Sequence, residues 1–277
     1  MTRSTRSRVR KTPWWAAALS AAVALSPGCS DDTMPPPAAP TAEPTGTGTV
    51  VVQFDHTVGN APLEFDRQTY TNAAGNQFGV TTLQYLVSRF RLLRPAALRD
   101  EGDYEPAAVH LRDGRDDATR SITFDDVPVG EYAYLSFVFG LRNEDNVTGA
   151  YPDYDAAMLW PDSPPTMLGG YHYMKCEGTW GSGPAHFATH TGRSSDGADR
   201  SFEVDLELHG SLRHGFEVVE GRTVTVWVVM DLAEWYTTPH TYDFADHGPI
   251  MEEPVAQQLI HENGSPAFGS GVFSLAP

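Results

Sequence analysis

Histidine is the residue type in this sequence best suited to chemistry: ten are present, against a single lysine beyond residue 47, Lys175. A neutral imidazole offers one nitrogen lone pair, and its charge state is set by its surroundings within the physiological pH range. Two histidines end runs that would deliver them to a defined point. His56 closes the alternating series Val50, Val52, Phe54, so its ring belongs to the apolar face at the rim of a sheet, where neighbours limit water. His190 ends the run 185–190, just before Thr191-Gly192. Periodicity leaves each of these equally readable as a ligand or as a rim histidine. His172 has the strand parity of Met174 and Cys176, a soft donor set that suits copper. On an apolar face it reads instead as a core histidine with a backbone hydrogen bond. His110, His209, His214, His240, His247 and His261 stand in polar or turn contexts and read as solvated. The chain has no G-x-S-x-G elbow, no P-loop, no G-x-G-x-x-G after a strand and no H-E-x-x-H helix, so the reading is a binding protein and not an enzyme.

The elements that must position these residues are strands. Beyond the run 49–56, strands are expected at 83–93, 121–125, 132–139, 171–177, 185–190, 202–208 and 223–231. Phe202, Val204, Leu206 and Leu208 form one inward face against Glu203, Asp205 and Glu207. Short strands separated by Gly/Pro/Asn/Asp loops argue an all-β fold, an antiparallel β-sandwich with long loops. One short C-terminal helix is expected after Pro254, with Val255/Leu259 and Ala256/Ile260 at helical spacing and Asn263-Gly264 as its stop. The segment 143–170 has no period, yet it carries Tyr151, Tyr154, Met158 and Trp160. Long loops inside compact domains are frequently functional, and these apolar residues must fold back onto something.

The chain's beginning reads as an address. Five basic residues (Arg3, Arg6, Arg8, Arg10, Lys11) precede an apolar stretch from Trp14 to Leu25, shorter than the ~20 residues a spanning helix needs. Residues 1–28 therefore read as a secretory signal. Ser26-Pro27-Gly28-Cys29 resembles a lipobox, which makes Cys29 the lipidated residue and the membrane anchor, in the periplasm or on the outer membrane. The Pro-rich stretch 29–47 reads as a disordered tether, and 48–277 as one β-sandwich domain. After the leader, 14 basic residues face 36 acidic ones, a net of −22, a surface that repels nucleic acid. Calcium at Asp153/Asp155 is a further reading of that acidity. With Cys29 lipidated, Cys176 has no disulfide partner and reads as a buried packing residue.

An ordered set of short pieces then resembles the MbnP-like family. It begins with Phe54-Asp55-His56-x-Val58-Gly59, Tyr70-x-Asn72-x-x-Gly75 and Leu83-Gln84-Tyr85-Leu86-Val87-Ser88. It continues with Met158-x-Trp160, Gly170-Tyr171, Glu177-Gly178 and His190-x-Gly192, and ends with the helix and the Asn263…Phe268 tail. The resemblance implies a copper-binding periplasmic lipoprotein, with His56 and His190 as ligands. Trp160 is implied as a further ligand after oxidation to kynurenine by a MauG-like di-haem partner protein, and Met158 as a thioether ligand or a packing residue beside it. Indole is a poor donor because its nitrogen lone pair belongs to the ring. Opening the ring yields a ketone beside an aromatic amine, which with imidazoles suits copper. The implied geometry has His56 and His190 converging, with Trp160 beside them and partly reachable from the surface. One departure stands out: 161–168 is inserted where the family pattern runs on to a second tryptophan and Gly-Tyr. A rival reading is a surface adhesion or glycan-binding module that uses Trp160, Trp180 and Trp235 as stacking platforms.

Overall fold

Strict apolar alternation makes the first long strand, β1 (Thr47–Val58), whose Val50, Val52 and Phe54 are buried while the residues between them are less so. In a computed structural model, described here for residues 45–96, 102–183, 185–208, 215–269 and 273–276, β1 lies at the centre of the first of two large sheets. Cys29, the leader, most of the tether, His209 and His214 lie outside the described residues.

One edge of β1 pairs with β4 (Ser121–Pro128) and the other with β9 (Thr223–Asp231). The second sheet runs β7 (Ala185–Thr191), β6 (Met174–Trp180), β2 (Gln77–Leu93), β5 (Tyr134–Phe139), β8 (Phe202–Glu207), with β3 (Val109–Asp113) also on β2. The fold is all-β, mostly antiparallel, with few helices, as the alternation implied. One pair departs from the expectation: β1 and β9 run parallel, from Thr49 opposite Thr223 to Thr57 opposite Asp231. A parallel neighbour needs a long crossover, and here the crossover contains the entire second sheet together with β4.

The sheets meet through aromatic rings. Phe54 of β1 packs on Tyr85, Phe90 and Phe137 of the second sheet at centroid distances of 6.3, 6.4 and 5.9 Å, within the range of favourable edge-to-face contact. The expected inward face of β8 holds, with Phe202, Val204 and Leu206 buried and Glu203, Asp205 and Glu207 exposed. The helix α2 (Pro254–Gly264) is present, but only Ala256 and Ile260 of its two apolar pairs are buried, and Val255 is 74% exposed.

The outer face of the second sheet is covered by the long loop. The short helix α1 (Asp155–Met158) sits over it, the Lys175 ammonium donates to the Ala157 carbonyl at 3.1 Å, and the Tyr154 hydroxyl donates to the Val109 carbonyl at 2.9 Å. Buried Asn146 holds the loop's return by accepting from Tyr171 N at 2.6 Å and donating to Tyr171 O at 3.1 Å. The apolar loop residues thus acquire a reason: Met158 and Trp160 are 0% and 1% exposed.

Glu177-Gly178 also acquires one. A Cβ on Gly178 would stand 1.9 Å from the Gly79 carbonyl oxygen of the neighbouring strand. Backbone cannot give way as a side chain does, so Gly178→Ala is expected to destabilise by about 3 kcal/mol, the upper end of ordinary overpacking. A shift in the denaturant midpoint measures this, and an unchanged midpoint would refute it.

Candidate metal centre

Three side chains meet here: Trp160 of the long loop, His172 just before β6 and His190 of β7. His190 lies in β7, opposite Lys175 of β6, which in turn lies opposite Gln84 of β2. Residues directly opposite share a face, so His190 points to the outer side of the sheet. A bend at Tyr173, whose N–H donates to the Thr191 carbonyl at 2.7 Å, interrupts the strand parity just before β6. His172 consequently joins His190 on the outer side, while Met174 and Cys176 stay inside, Cys176 against the Tyr236 hydroxyl at 3.5 Å. The expected shared face of His172, Met174 and Cys176 is corrected by this bend. Cys176 is buried, as expected.

The indole of Trp160 stands edge-on to His172 at 4.7 Å, and His172 edge-on to His190 at 5.1 Å. Trp160 N donates to the Gly170 carbonyl at 2.8 Å. The inserted segment folds as a small hairpin of its own, Asp162–Ser163 against Met167–Leu168, and Gly169 N closes it on the Pro161 carbonyl at 3.1 Å. The insertion is therefore an excursion that leaves Trp160 directly beside Gly170-Tyr171. Gly192 forms the floor: a Cβ there would meet Cε3 of the Trp160 ring at 2.6 Å. Its N–H donates to the Oε1 of Gln257, a buried residue of α2, so the helix supports the site from behind.

Polar atoms at this point are conspicuously unpartnered. His172 Nε2, His190 Nδ1 and Trp160 Nε1 are all buried without a hydrogen bond, although a buried polar atom left unpaired costs ~1–3 kcal/mol. The other nitrogen of each imidazole is engaged. His172 Nδ1 lies 3.0 Å from the Met158 carbonyl oxygen, which also accepts the His172 main-chain N–H at 2.7 Å. His190 Nε2 lies 2.8 Å from Glu177 Oε1. Burial pulls the His172 pKa down to about 3, and burial also lowers that of His190 against the opposing pull of Glu177. Both rings are neutral at neutral pH, the state that can ligate.

His56 stands apart from this cluster. Its Nε2 meets the Tyr85 hydroxyl at 3.0 Å. Tyr85 lies opposite Met174, one residue along β2 from Gln84, which shares the outer face with Lys175 and His190. Alternation puts Tyr85 and His56 on the inner side and His190 on the outer, so the sheet separates the two histidines expected to converge. The strand reading of His56 was sound, but the cluster is not inside the sandwich. Trp160, expected to be partly reachable, is buried under its loop. Met158 contributes its carbonyl group to the order of the site.

Elsewhere, Asp155 accepts the Tyr171 hydroxyl at 2.7 Å. Among the described residues no group of three or more His, Cys, Asp or Glu side chains is gathered as a metal cluster. A cleft of about 810 Å3 opens beside Arg89, Tyr151 and Tyr154 and includes none of the three clustered side chains.

Two outcomes follow from this geometry. Gly192→Ala should displace the indole, lowering stability by about 1–3 kcal/mol and altering tryptophan fluorescence. An unchanged spectrum would mean that the ring does not rest on Gly192. Burial likewise lowers the His56 pKa to about 3 from 6.5, helped by Arg112 and Arg120. Between those values the unfolded chain takes up protons that the folded chain refuses, so metal-free stability falls as pH drops from about 6.5 toward 3. Denaturant midpoints at about pH 7 and pH 5 should show this fall, with a shallower one in His56→Gln. Equal slopes would exclude His56 as a contributor.

The model of the MbnP family matches residues 47–254. MbnP from Methylosinus trichosporium is a solved structure similar to this chain at 13% identity and a TM-score of 0.46, covering 83% of this chain and 99% of that one. No curated protein matches the chain.

Proposed function

The chain belongs to the MbnP family, and we propose that it is a copper-binding protein whose metal is held by His172 and His190 with Trp160 beside them. The observation that carries the reading is the pair of bare, buried, neutral imidazole nitrogens, His172 Nε2 and His190 Nδ1, on rings 5.1 Å apart. Copper has the highest affinity of the divalent first-row series for such nitrogens. A late transition metal supplies there what the protein lacks, an electrophile for two lone pairs that find no hydrogen. The ligand set is thus His172 in place of His56. The rival glycan-binding reading is disfavoured by burial: of its three stacking rings Trp160 and Trp235 are 1% and 2% exposed, which leaves only the half-buried Trp180 within a sugar's reach.

Trp160 adds the family's implied modification. Its Nε1 is the third unpartnered atom of the cluster, and it is the atom that ring opening would turn into an aromatic amine donor. A MauG-like di-haem partner, itself oxidised by two molecules of peroxide, would withdraw four electrons from the indole; two water oxygens would add as the Cγ–Cδ1 bond breaks, and hydrolysis would release Cδ1 as formate. Relative to tryptophan, kynurenine has gained one oxygen and lost one carbon. A buried indole cannot meet that partner directly, so the oxidising equivalents would have to travel through the protein. We place the protein outside the cytoplasm, anchored by a lipid on Cys29, in copper handling or electron transfer and without catalysis of its own.

Copper titration of the purified protein, with and without co-expression of the di-haem partner, is the test. His172→Ala and His190→Ala should each lower affinity by at least tenfold, while His56→Ala leaves it unchanged. Loss of affinity in His56→Ala with none in His172→Ala would overturn the ligand assignment. Intact mass of the Trp160 peptide tests the kynurenine separately, and copper binding with Trp160 unmodified in the presence of the partner would remove that part alone.

A further inference from the structure

The two imidazoles of the cluster are held by different partners, and each partner decides which nitrogen its ring can offer. A neutral imidazole carries one N–H, and the nitrogen facing an acceptor must be the one that bears it. Met158 presents His172 Nδ1 with a carbonyl oxygen at 3.0 Å, so the hydrogen sits on Nδ1 and Nε2 is bare. Glu177 presents His190 Nε2 with a carboxylate oxygen at 2.8 Å, so the hydrogen sits on Nε2 and Nδ1 is bare. Both remaining nitrogens are buried and unpartnered. The rings have been fixed in opposite tautomers that leave an acceptor on each.

This arrangement excludes a simpler one. With its hydrogen on Nδ1, His190 would carry a donor at the nitrogen now bare, and a donor there could satisfy the acceptor of the neighbouring His172. The pair would then close on itself as an ordinary buried hydrogen bond. We infer that Glu177 is a positioning residue that prevents this closure: by claiming the Nε2 hydrogen of His190, it keeps two lone pairs bare that only an electrophile can satisfy together. The inference rests on the copper reading for the identity of that electrophile, but the tautomer itself is a property of the metal-free chain. Glu177 lies on the outer face of β6, half-exposed, with its carboxylate on His190 Nε2, so it acts through the ring it orients. Outer partners of this kind alter metal affinity by ~10–100-fold when removed.

Glu177→Ala tests the inference on two independent readouts. In the metal-free protein, 15N NMR of the imidazole nitrogens should report His190 as Nε2–H in the parent and Nδ1–H in Glu177→Ala, with His172 staying Nδ1–H in both. Copper affinity, measured by competition with a chromogenic chelator, should fall ~10–100-fold in Glu177→Ala and less in Glu177→Gln, which keeps an acceptor oxygen. The metal-free thermal midpoint of Glu177→Ala should not fall, because closing the pair relieves two unpartnered nitrogens. His190 remaining Nε2–H in Glu177→Ala, or a copper affinity there equal to that of the parent, would overturn the inference. A parent protein that shows the expected tautomers and binds no copper would overturn the copper reading and leave the tautomer assignment standing.

Discussion

An imidazole buried in protein has two nitrogens to satisfy, and in this structure two adjacent histidines satisfy one each. That constraint organises the second sheet's outer face. A lone pair in contact with water needs no partner, so the unpartnered state exists only because the loop 143–170 lies over the rings. The loop in turn is held by polar contacts made at the same place: Asn146 on the Tyr171 backbone, Lys175 on the Ala157 carbonyl, and the Met158 carbonyl on both nitrogens of His172 that carry hydrogen. The cover and the cluster are therefore one structure. Removing the loop would hydrate the histidines, and removing the histidine contacts would release the loop.

The backbone beneath is arranged with little freedom. Gly178 has a carbonyl of the next strand against its Cα, and Gly192 has an indole there. Each glycine marks a place where chain and ring approach more closely than any side chain permits. They sit in the neighbouring strands β6 and β7 or just beyond them, so the same two strands that carry Lys175, Glu177 and His190 are also the ones with no room to shift. Rigid strands under a pinned loop give the cluster its preorganisation, which matters because a ligand pair that must reorganise loses affinity in doing so.

What could be read beforehand follows from the same physics. Period-two patterns in β1, β8 and β9 were legible because each strand has one face in the core, and the inner-facing parity of His56 was legible for that reason. His172 was placed on the wrong face because parity counts residues and does not see a bend, and the bend at Tyr173 is set by hydrogen bonds to Thr191 and Leu86, distant in sequence. The parallel pairing of β1 with β9 was equally hidden, since it depends on where a whole sheet's worth of intervening chain returns. β3 went unread because its Arg112 is buried by donating to main-chain oxygens such as that of Asp116 and not by apolar packing. The insertion after Trp160 left the site's geometry undecided in the sequence; it closes as its own hairpin and returns the chain to Gly170 beside Trp160.

The charge balance of the molecule sharpens what the cluster can select. Residues 29–277 carry a net of −22, and a surface of carboxylates gathers cations of every kind with little discrimination. Hard ions such as calcium and magnesium take oxygen ligands, and the acidic surface offers those in quantity. The buried cluster offers the opposite: two neutral imidazole nitrogens and an indole, with one ammonium and one carboxylate, Lys175 and Glu177, on the same outer face. Charge alone gives a hard ion no reason to leave the surface for that place, and only an ion that gains from nitrogen donors would. On the copper reading we propose, an acidic exterior and a neutral nitrogen interior would divide the work, the first concentrating cations near the protein and the second distinguishing among them.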